Sequence, residues 1–172
     1  MEIQLNYVQQ ATLAYINACR ESSMKISEAI HVKANEDGSY SPIEFNASDV
    51  AAFRVIGLRA PQRAGMSVFQ EWFCYEESKK LELENSSERI LWITTQDNDF
   101  SLPSFVDYYK VRQPAEYGRL CQSLKKAEFK KYRWIIIDQH TWICGHDIHL
   151  EKLISAVYDG NNTKQFFLTF SS

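Results

Sequence analysis

Residues 60–67, with the sequence APQRAGMS, have the spacing of a phosphate-binding turn but lack its lysine. In the motif G-x-x-x-x-G-K-[ST], backbone N–H groups surround the phosphate, the lysine reaches its outer oxygens and the hydroxyl binds magnesium. Here Ala60 replaces the first glycine and Met66 replaces the lysine, whereas Gly65 and Ser67 keep their positions. The spacing therefore predicts a degenerate nucleotide turn between a strand and a helix.

An acidic residue further along the chain supports this prediction. Residues 134–138, WIIID, form an apolar run that ends in Asp138, and nucleotide hydrolases hold magnesium or its water with an acid in such a position. Arg59 or Arg63 could supply part of the missing positive charge. Three interpretations stay open: a turn that no longer binds nucleotide, one that still binds it weakly through Arg63, Gly65, Ser67 and Asp138, or an ordinary strand-to-helix turn.

Residues 138–149, DQHTWICGHDIH, contain three of the four histidines of the chain. His140, Cys144, His146 and His149 are residue types that bind zinc, although their spacing matches no common zinc pattern. Cys144 beside a histidine could instead act as a nucleophile. Histidines of this kind more often cap, pack or contact a partner, so we predict His140 and His146 as partner-binding residues. Whether a metal binds stays open.

Residues 99–109, DFSLPSFVDYY, are rich in large apolar side chains for a segment that the pattern assigns to a loop. Loops with so many aromatic groups are usually covered by other parts of the protein or by a partner. We therefore predict a partner-binding surface formed by Phe100, Phe105, Tyr108 and Tyr109. Packing into the core is the alternative.

Short apolar strands alternate with longer helical patterns through the second half of the chain. Strands that are apolar at consecutive positions are buried on both faces, and strands separated by helices pair in parallel. The pattern predicts an α/β fold with three αβα layers and a mainly parallel sheet. The predicted strands are 53–57, 89–95, 110–113, 133–138 and 165–170, and the predicted helices are 64–83, 114–129 and 147–158.

The N-terminal part of the chain has a different pattern. Apolar residues at spacings of three and four over residues 3–34 predict one or two amphipathic helices. Residues 36–42, EDGSYSP, predict a loop or hairpin turn. We therefore predict an N-terminal helical arm over residues 1–45 and an α/β core over residues 46–172.

Composition and charge exclude several classes of function. The chain has 172 residues, a formal net charge of −3 and a pI near 5.8, which argues against a broad nucleic-acid surface because such surfaces need excess lysine and arginine. No apolar run approaches the length that spans a bilayer. Four widely separated cysteines predict a reducing cytoplasm, and no motif predicts a bound cofactor.

The order of these elements resembles that of RecA-like domains, and most of all that of SulA-type inhibitors, bacterial proteins of the SOS response. The resemblance covers the layout of residues 50–170, from the degenerate turn at APQRAGMS to the strands RILWITT, RWIIID and QFFLTF. It implies a regulatory protein that is not an enzyme and that inhibits cell division by binding the tubulin-like GTPase FtsZ. A nucleotide-binding subunit of an ATPase assembly and a metal-dependent enzyme centred on residues 138–149 are the alternatives, and a homodimer stays open.

Overall fold

The computed structural model describes residues 3–21, 29–34, 40–42, 54–60, 63–95, 101–111, 116, 119, 131–138 and 166–171. The elements with defined bounds are α1 Tyr7–Glu21, β1 Ala29–Ala34, β2 Tyr40–Pro42, β3 Arg54–Arg59, α2 Met66–Leu83, β4 Arg89–Thr94, β5 Val106–Lys110, β6 Tyr132–Ile137 and β7 Phe166–Ser171.

The seven strands found in the described residues belong to one sheet, in the order β2-β1-β3-β7-β6-β4-β5. Every neighbouring pair is parallel except β1 and β2, which pair antiparallel. The predicted α/β class with a mainly parallel sheet is therefore confirmed. β7 lies between β3 and β6, so one strand separates the turn at residues 60–65 from Asp138.

Strand β6, in the middle of the sheet, is buried on both faces. Trp134 and Ile136 belong to the apolar cluster that α2 also enters. Ile135 and Ile137 point to the opposite face, because side chains alternate along a strand, and both are fully buried. Burial on both faces explains the continuous apolar run of this strand and agrees with a sheet covered on two sides.

Helix α2 packs on the sheet through aromatic side chains one turn apart. Phe69 and Phe73 are fully buried, and the ring of Phe73 meets the edge of Trp134 with centroids 5.0 Å apart. Burial of one such side chain contributes about 2–3 kcal/mol. The helix ends where Asn85 takes a φ of 51° and its N–H donates to the carbonyl of Glu82, which is the left-handed ending that asparagine tolerates.

The N-terminal segment contains one helix and two strands. α1 lies within the segment predicted to be helical, but the prediction that helical structure continues to residue 34 is wrong, because residues 29–34 form β1. The division into an arm and a core stays a prediction. The sequence AIHVKA alternates apolar and polar residues and contains Ile30 and Val32, and both features favour a strand. The antiparallel pairing of β2 with β1 agrees with the predicted hairpin, whereas the predicted boundary at residue 45 lies outside the described residues.

Neither α1 nor α2 is long and apolar enough to cross a membrane. The cytoplasmic location stays a prediction. Of the helix predicted over residues 114–129, residues 116 and 119 are described and both are helical. The helix predicted over residues 147–158 lies outside the described part of the chain.

Candidate functional site

The turn between β3 and α2 has the left-handed backbone that its glycine permits. Gly65 is the N-cap residue of α2 and has a φ of 80°. Arg63, two residues earlier, is exposed and also has a positive φ of 64°. Glycine adopts such an angle without steric cost. Since β3 precedes this turn and α2 follows it, the predicted strand–turn–helix arrangement is present. The side chain of Arg63 faces water and forms no part of the buried structure.

Two side chains of α1 donate hydrogen bonds to the backbone of this turn. Asn6 Nδ2 donates to the carbonyl of Ala64 at 3.0 Å, and Gln9 Nε2 donates to the carbonyl of Gly65 at 2.8 Å. The same residues cap the start of α1, since each backbone N–H donates to the side-chain oxygen of the other, at 2.9 and 2.8 Å. Each amide group therefore uses its oxygen for the helix and its nitrogen for the turn.

This contact requires a glycine for a second reason. A Cβ atom at Gly65 would lie 2.6 Å from Gln9 Nε2 and 3.3 Å from Asn6 Nδ2. The first distance is far below van der Waals contact, so a side chain at this position would push the amide of Gln9 away from the turn. Asn6 and Gln9 were missed as site residues in the sequence. Their spacing is that of an N-cap residue and the amide three positions later, which is the signal that could have identified the helix start.

Met66 occupies the position of the missing lysine and packs inward. Its side chain is half-buried and lies against the apolar core. The hydroxyl of Thr12, which donates to the carbonyl of Val8 at 2.8 Å, lies 3.8 Å from the sulfur of Met66. A thioether fills irregular apolar space well, whereas an ammonium group would have to be desolvated there. Met66 thus provides a packing contact between α1 and α2 at the position where the motif has its lysine.

Asp138, predicted as the magnesium-side acid, is buried and accepts hydrogen bonds from two neutral side chains. It is 3% exposed. One carboxylate oxygen accepts a hydrogen bond from Gln70 Nε2 at 2.9 Å and the other accepts one from Thr94 Oγ1 at 2.9 Å. Gln70 is itself oriented by Trp92, whose indole N–H donates to Gln70 Oε1 at 3.0 Å. The network joins α2 to the carboxyl ends of β4 and β6.

The position of Ser67 relative to this network determines how a magnesium ion could bind between Ser67 and Asp138. Ser67 is half-buried in the first turn of α2, three residues before Gln70 and so on the same face of the helix. Both oxygens of Asp138 already accept hydrogen bonds. A magnesium ion would therefore have to displace Gln70 or Thr94, or share their acceptor, before it could bind between Ser67 and Asp138.

The predicted aromatic loop is partly a strand. β5 covers Val106–Lys110, so Tyr108 and Tyr109 lie in a strand at one end of the sheet order, and the prediction of a short strand over residues 110–113 was placed about four residues too late. Phe105 and Tyr108 are half-buried and pack against the core. Tyr109 is half-buried as well, and Phe100 lies outside the described residues. Tyr108 and Tyr109 form part of a strand because this segment pairs with the apolar strand β4.

A cleft of about 310 Å³ lies between α2 and the segment before β5. Phe105 lines it from one side, and Tyr75 and Lys79 line it from the other. The hydroxyl of Tyr75 donates to the carbonyl of Ser101 and so fixes one side of this cleft. The remaining lining residues are Ser78, Glu82, Pro103 and Ser104.

The predicted histidine-rich site cannot be placed, because residues 139–149 lie outside the described part of the chain. This applies to His140, Cys144 and His146. Within the residues that are described, no three His, Cys, Asp or Glu side chains are grouped as metal ligands. The metal site and the partner contacts at these histidines stay predictions.

No protein-family model matches the chain, and no curated protein is similar to it. A solved structure that it resembles is the UvsW helicase from bacteriophage T4, with a TM-score of 0.44 and 16% sequence identity. The match covers 89% of this chain and 60% of that chain. None of these comparisons supports the resemblance to SulA-type inhibitors.

The comparison corrects the prediction that the chain is not an enzyme. The similar structure is that of a helicase, which is an enzyme, and the prediction is therefore wrong as it was made. The likeness is too distant to assign an activity to this chain.

Proposed function

We propose that this chain is a regulatory protein that acts by binding another protein. The observation that carries the proposal is that internal contacts occupy the positions used elsewhere for a nucleotide. Met66 packs inward and Asp138 is bonded to neutral donors. Asn6 and Gln9 bond to the backbone of the turn. These contacts favour a structural role for the turn, and they leave other surfaces to carry recognition.

The surface that fits a protein partner best is the one around the cleft. Phe105 and Tyr75 line the cleft from its two sides. Aromatic side chains in such half-buried positions are enriched at protein interfaces, because they bury a large area at little cost in conformational entropy. Lys79, which is mostly exposed at the side of the cleft, adds a charge that a partner could recognise.

Affinity capture from a lysate of the source cells tests this proposal. The variants Tyr75→Ser and Lys79→Glu alter the proposed surface. As a control, Tyr7→Ser removes a tyrosine of α1 that is 83% exposed and does not line the cleft. We expect both surface variants to lose a partner that the wild type and Tyr7→Ser retain. Equal capture by all four proteins, with unchanged thermal stability, would remove this surface from consideration.

A more specific form of the proposal names FtsZ as the partner. It rests on the resemblance of the element order to SulA-type inhibitors and on no contact described above. Light scattering by polymerising FtsZ tests it. Substoichiometric or equimolar protein should suppress the signal, and an unchanged polymerisation curve would leave the broader proposal intact while removing FtsZ.

Nucleotide binding, in a subunit of an ATPase assembly, is the second candidate. The specific observation in its favour is that Gly65 keeps the left-handed turn before α2, with Ser67 in the first turn on the face directed to Asp138. Calorimetric titration with ATP and magnesium separates the two candidates. Magnesium-dependent binding that Ser67→Ala weakens would favour this second function, and absence of heat at millimolar nucleotide would favour the first.

A further inference from the structure

The two helices attach to the sheet by different kinds of contact. α2 buries Phe69, Phe73 and Leu81. Among the described side chains of α1, Ile16 is the one hydrophobic residue that is fully buried, and Leu13 and Tyr15 are partly buried and pack against the same apolar cluster. α1 therefore buries fewer apolar side chains completely than α2 does, so the hydrogen bonds and the ion pair at its two ends carry a larger share of its attachment.

At its N-terminal end, α1 contacts the turn that precedes α2. Asn6 and Gln9 bond to the carbonyls of Ala64 and Gly65. Gln9 is only 5% exposed, so its amide is sheltered from water while α1 is docked. These two side chains also cap α1, and docking on the turn therefore also stabilises the first turn of the helix.

At the C-terminal end of α1, an ion pair lies against an indole ring. Arg20 Nη2 lies 2.6 Å from Glu77 Oε1, and the guanidinium carbon lies 5.1 Å from the ring centroid of Trp134. The other carboxylate oxygen of Glu77 accepts a hydrogen bond from the indole N–H of Trp134 at 3.3 Å. This contact lies at the far end of α1 from Asn6, so the helix is held at both ends.

We propose that α1 is a detachable strap, which docks and undocks as a unit and controls access to the turn at residues 63–67. While α1 is docked, the carbonyls of Ala64 and Gly65 are occupied and Met66 is partly covered. When α1 leaves, these carbonyls lose the side-chain donors of Asn6 and Gln9, although the carbonyl of Gly65 still accepts from the N–H of Phe69. The side chains of Met66 and Glu77 then become accessible. The proposal goes beyond the proposed function, because it concerns when one surface of the molecule is available and not what binds to it.

The physical basis is the low net cost of exchanging polar contacts for water. A hydrogen bond within the protein is replaced by one to water when the strap opens, so its loss costs much less than the bond itself is worth. Apolar burial, which keeps α2 in place, has no such replacement. Segments with few buried apolar contacts open at lower free energy than the core of the same protein.

Hydrogen exchange of the full chain, followed by mass spectrometry or NMR, tests this proposal. The test variant is the double substitution Asn6→Ala and Gln9→Ala. Gln4→Ala is the matched control, because Gln4 is exposed and precedes the helix. A second test variant, Arg20→Ala, removes the contact at the other end and keeps the contacts at the turn.

In the wild type we expect the amides of α1 to exchange together and faster than those of β4 and β6. In the double variant, exchange throughout α1 should become about 10- to 30-fold faster, as the loss of two hydrogen bonds predicts. Exchange in β4 and β6 should not change. Arg20→Ala should accelerate the whole helix too, including its first turn, which a local effect would not do.

Two results would overturn the proposal. The first is wild-type α1 amides that exchange as slowly as those of β6, because α1 would then open only with global unfolding. The second is a double variant in which only the first turn of α1 exchanges faster, because the helix would then fray at one end instead of detaching. Gln4→Ala should match the wild type in every segment.

Discussion

The two ends of the parallel sheet each hold an aspartate. The two acids differ in exposure, and the donors described above for them differ in charge. At the carboxyl end, Asp138 is 3% exposed and accepts hydrogen bonds from the neutral side chains of Gln70 and Thr94. At the amino end, the side chain of Asp107 is 34% exposed and accepts two hydrogen bonds from the guanidinium group of Arg89, at 3.0 and 2.6 Å. Asp138 thus accepts hydrogen bonds from two buried neutral donors, whereas Asp107 accepts them from a partly exposed cation.

This difference shows where the structure is least tolerant of change. A buried polar network is strong when every member is satisfied and costly when one is removed, because no water replaces the lost partner. An exposed ion pair is screened by solvent and salt, so its loss costs little. The carboxyl end, where ligands bind in α/β proteins, is therefore the end whose side chains are fixed by their neighbours.

Removal of Gln70 should have the largest effect, because this residue joins the network to α2. Gln70→Ala takes a donor from Asp138, leaves the indole N–H of Trp92 without its acceptor and opens a cavity. We expect the free energy of unfolding to fall by about 3–5 kcal/mol, measured by urea denaturation at pH 7. Glu82→Ala, on an exposed position of the same helix, should change it by no more than about 0.5 kcal/mol. Similar losses in the two variants would mean that the buried network contributes no more to stability than an exposed residue of the same helix.

Asp138→Asn should have a smaller effect because it keeps the shape of the side chain. The amide oxygen can still accept from Gln70, and the hydroxyl of Thr94 can rotate to accept from the new amide. We expect a loss of about 1–2 kcal/mol, without dependence on magnesium. A variant more stable than the wild type, together with a wild type that magnesium stabilises, would instead place Asp138 in a metal site.

Asp138 also shows how much of the site could be predicted from sequence. The apolar run before it predicted a buried strand that ends in an acid, and β6 is that strand. Its chemistry could not be predicted, because Gln70 and Thr94 lie 68 and 44 residues away. A polar residue on a helix gives no sign that it points into the core.

The same limit applies to the turn at the start of α2. Gly65 and the helix after it were recognised from spacing, since the backbone angles of a turn are encoded locally. The contact of Gln9 with Gly65 joins residues 56 positions apart, and only the fold brings them together. Local patterns therefore predicted the elements of the fold, whereas the side chains that fill the site came from contacts between distant segments.

At the amino end, Asp107→Asn should cost about 1 kcal/mol. Arg89, by hydrogen bonding to the carboxylate, lowers the pKa of Asp107 from its ordinary 3.8. The stabilisation by the ionised form is therefore complete well above pH 3.8 and is lost as the pH falls through the lowered pKa. The difference in unfolding free energy between wild type and variant should shrink over this range and also in about 1 M salt. A difference that grew towards low pH would have the wrong sign for this ion pair.

Lys131→Ala should have the smallest effect of the series. The amine of Lys131 lies 3.9 Å from Asp107 Oδ2, its side chain is 44% exposed, and it also lies over the ring of Tyr132 at 5.1 Å. A single long-range contact of this kind contributes about 0.5 kcal/mol or less and disappears at high salt. Denaturation at low and high ionic strength measures it. A loss larger than that of Asp107→Asn would mean that the amino end depends on Lys131 more than on the pair with Arg89, and the contrast between the two ends would then fail.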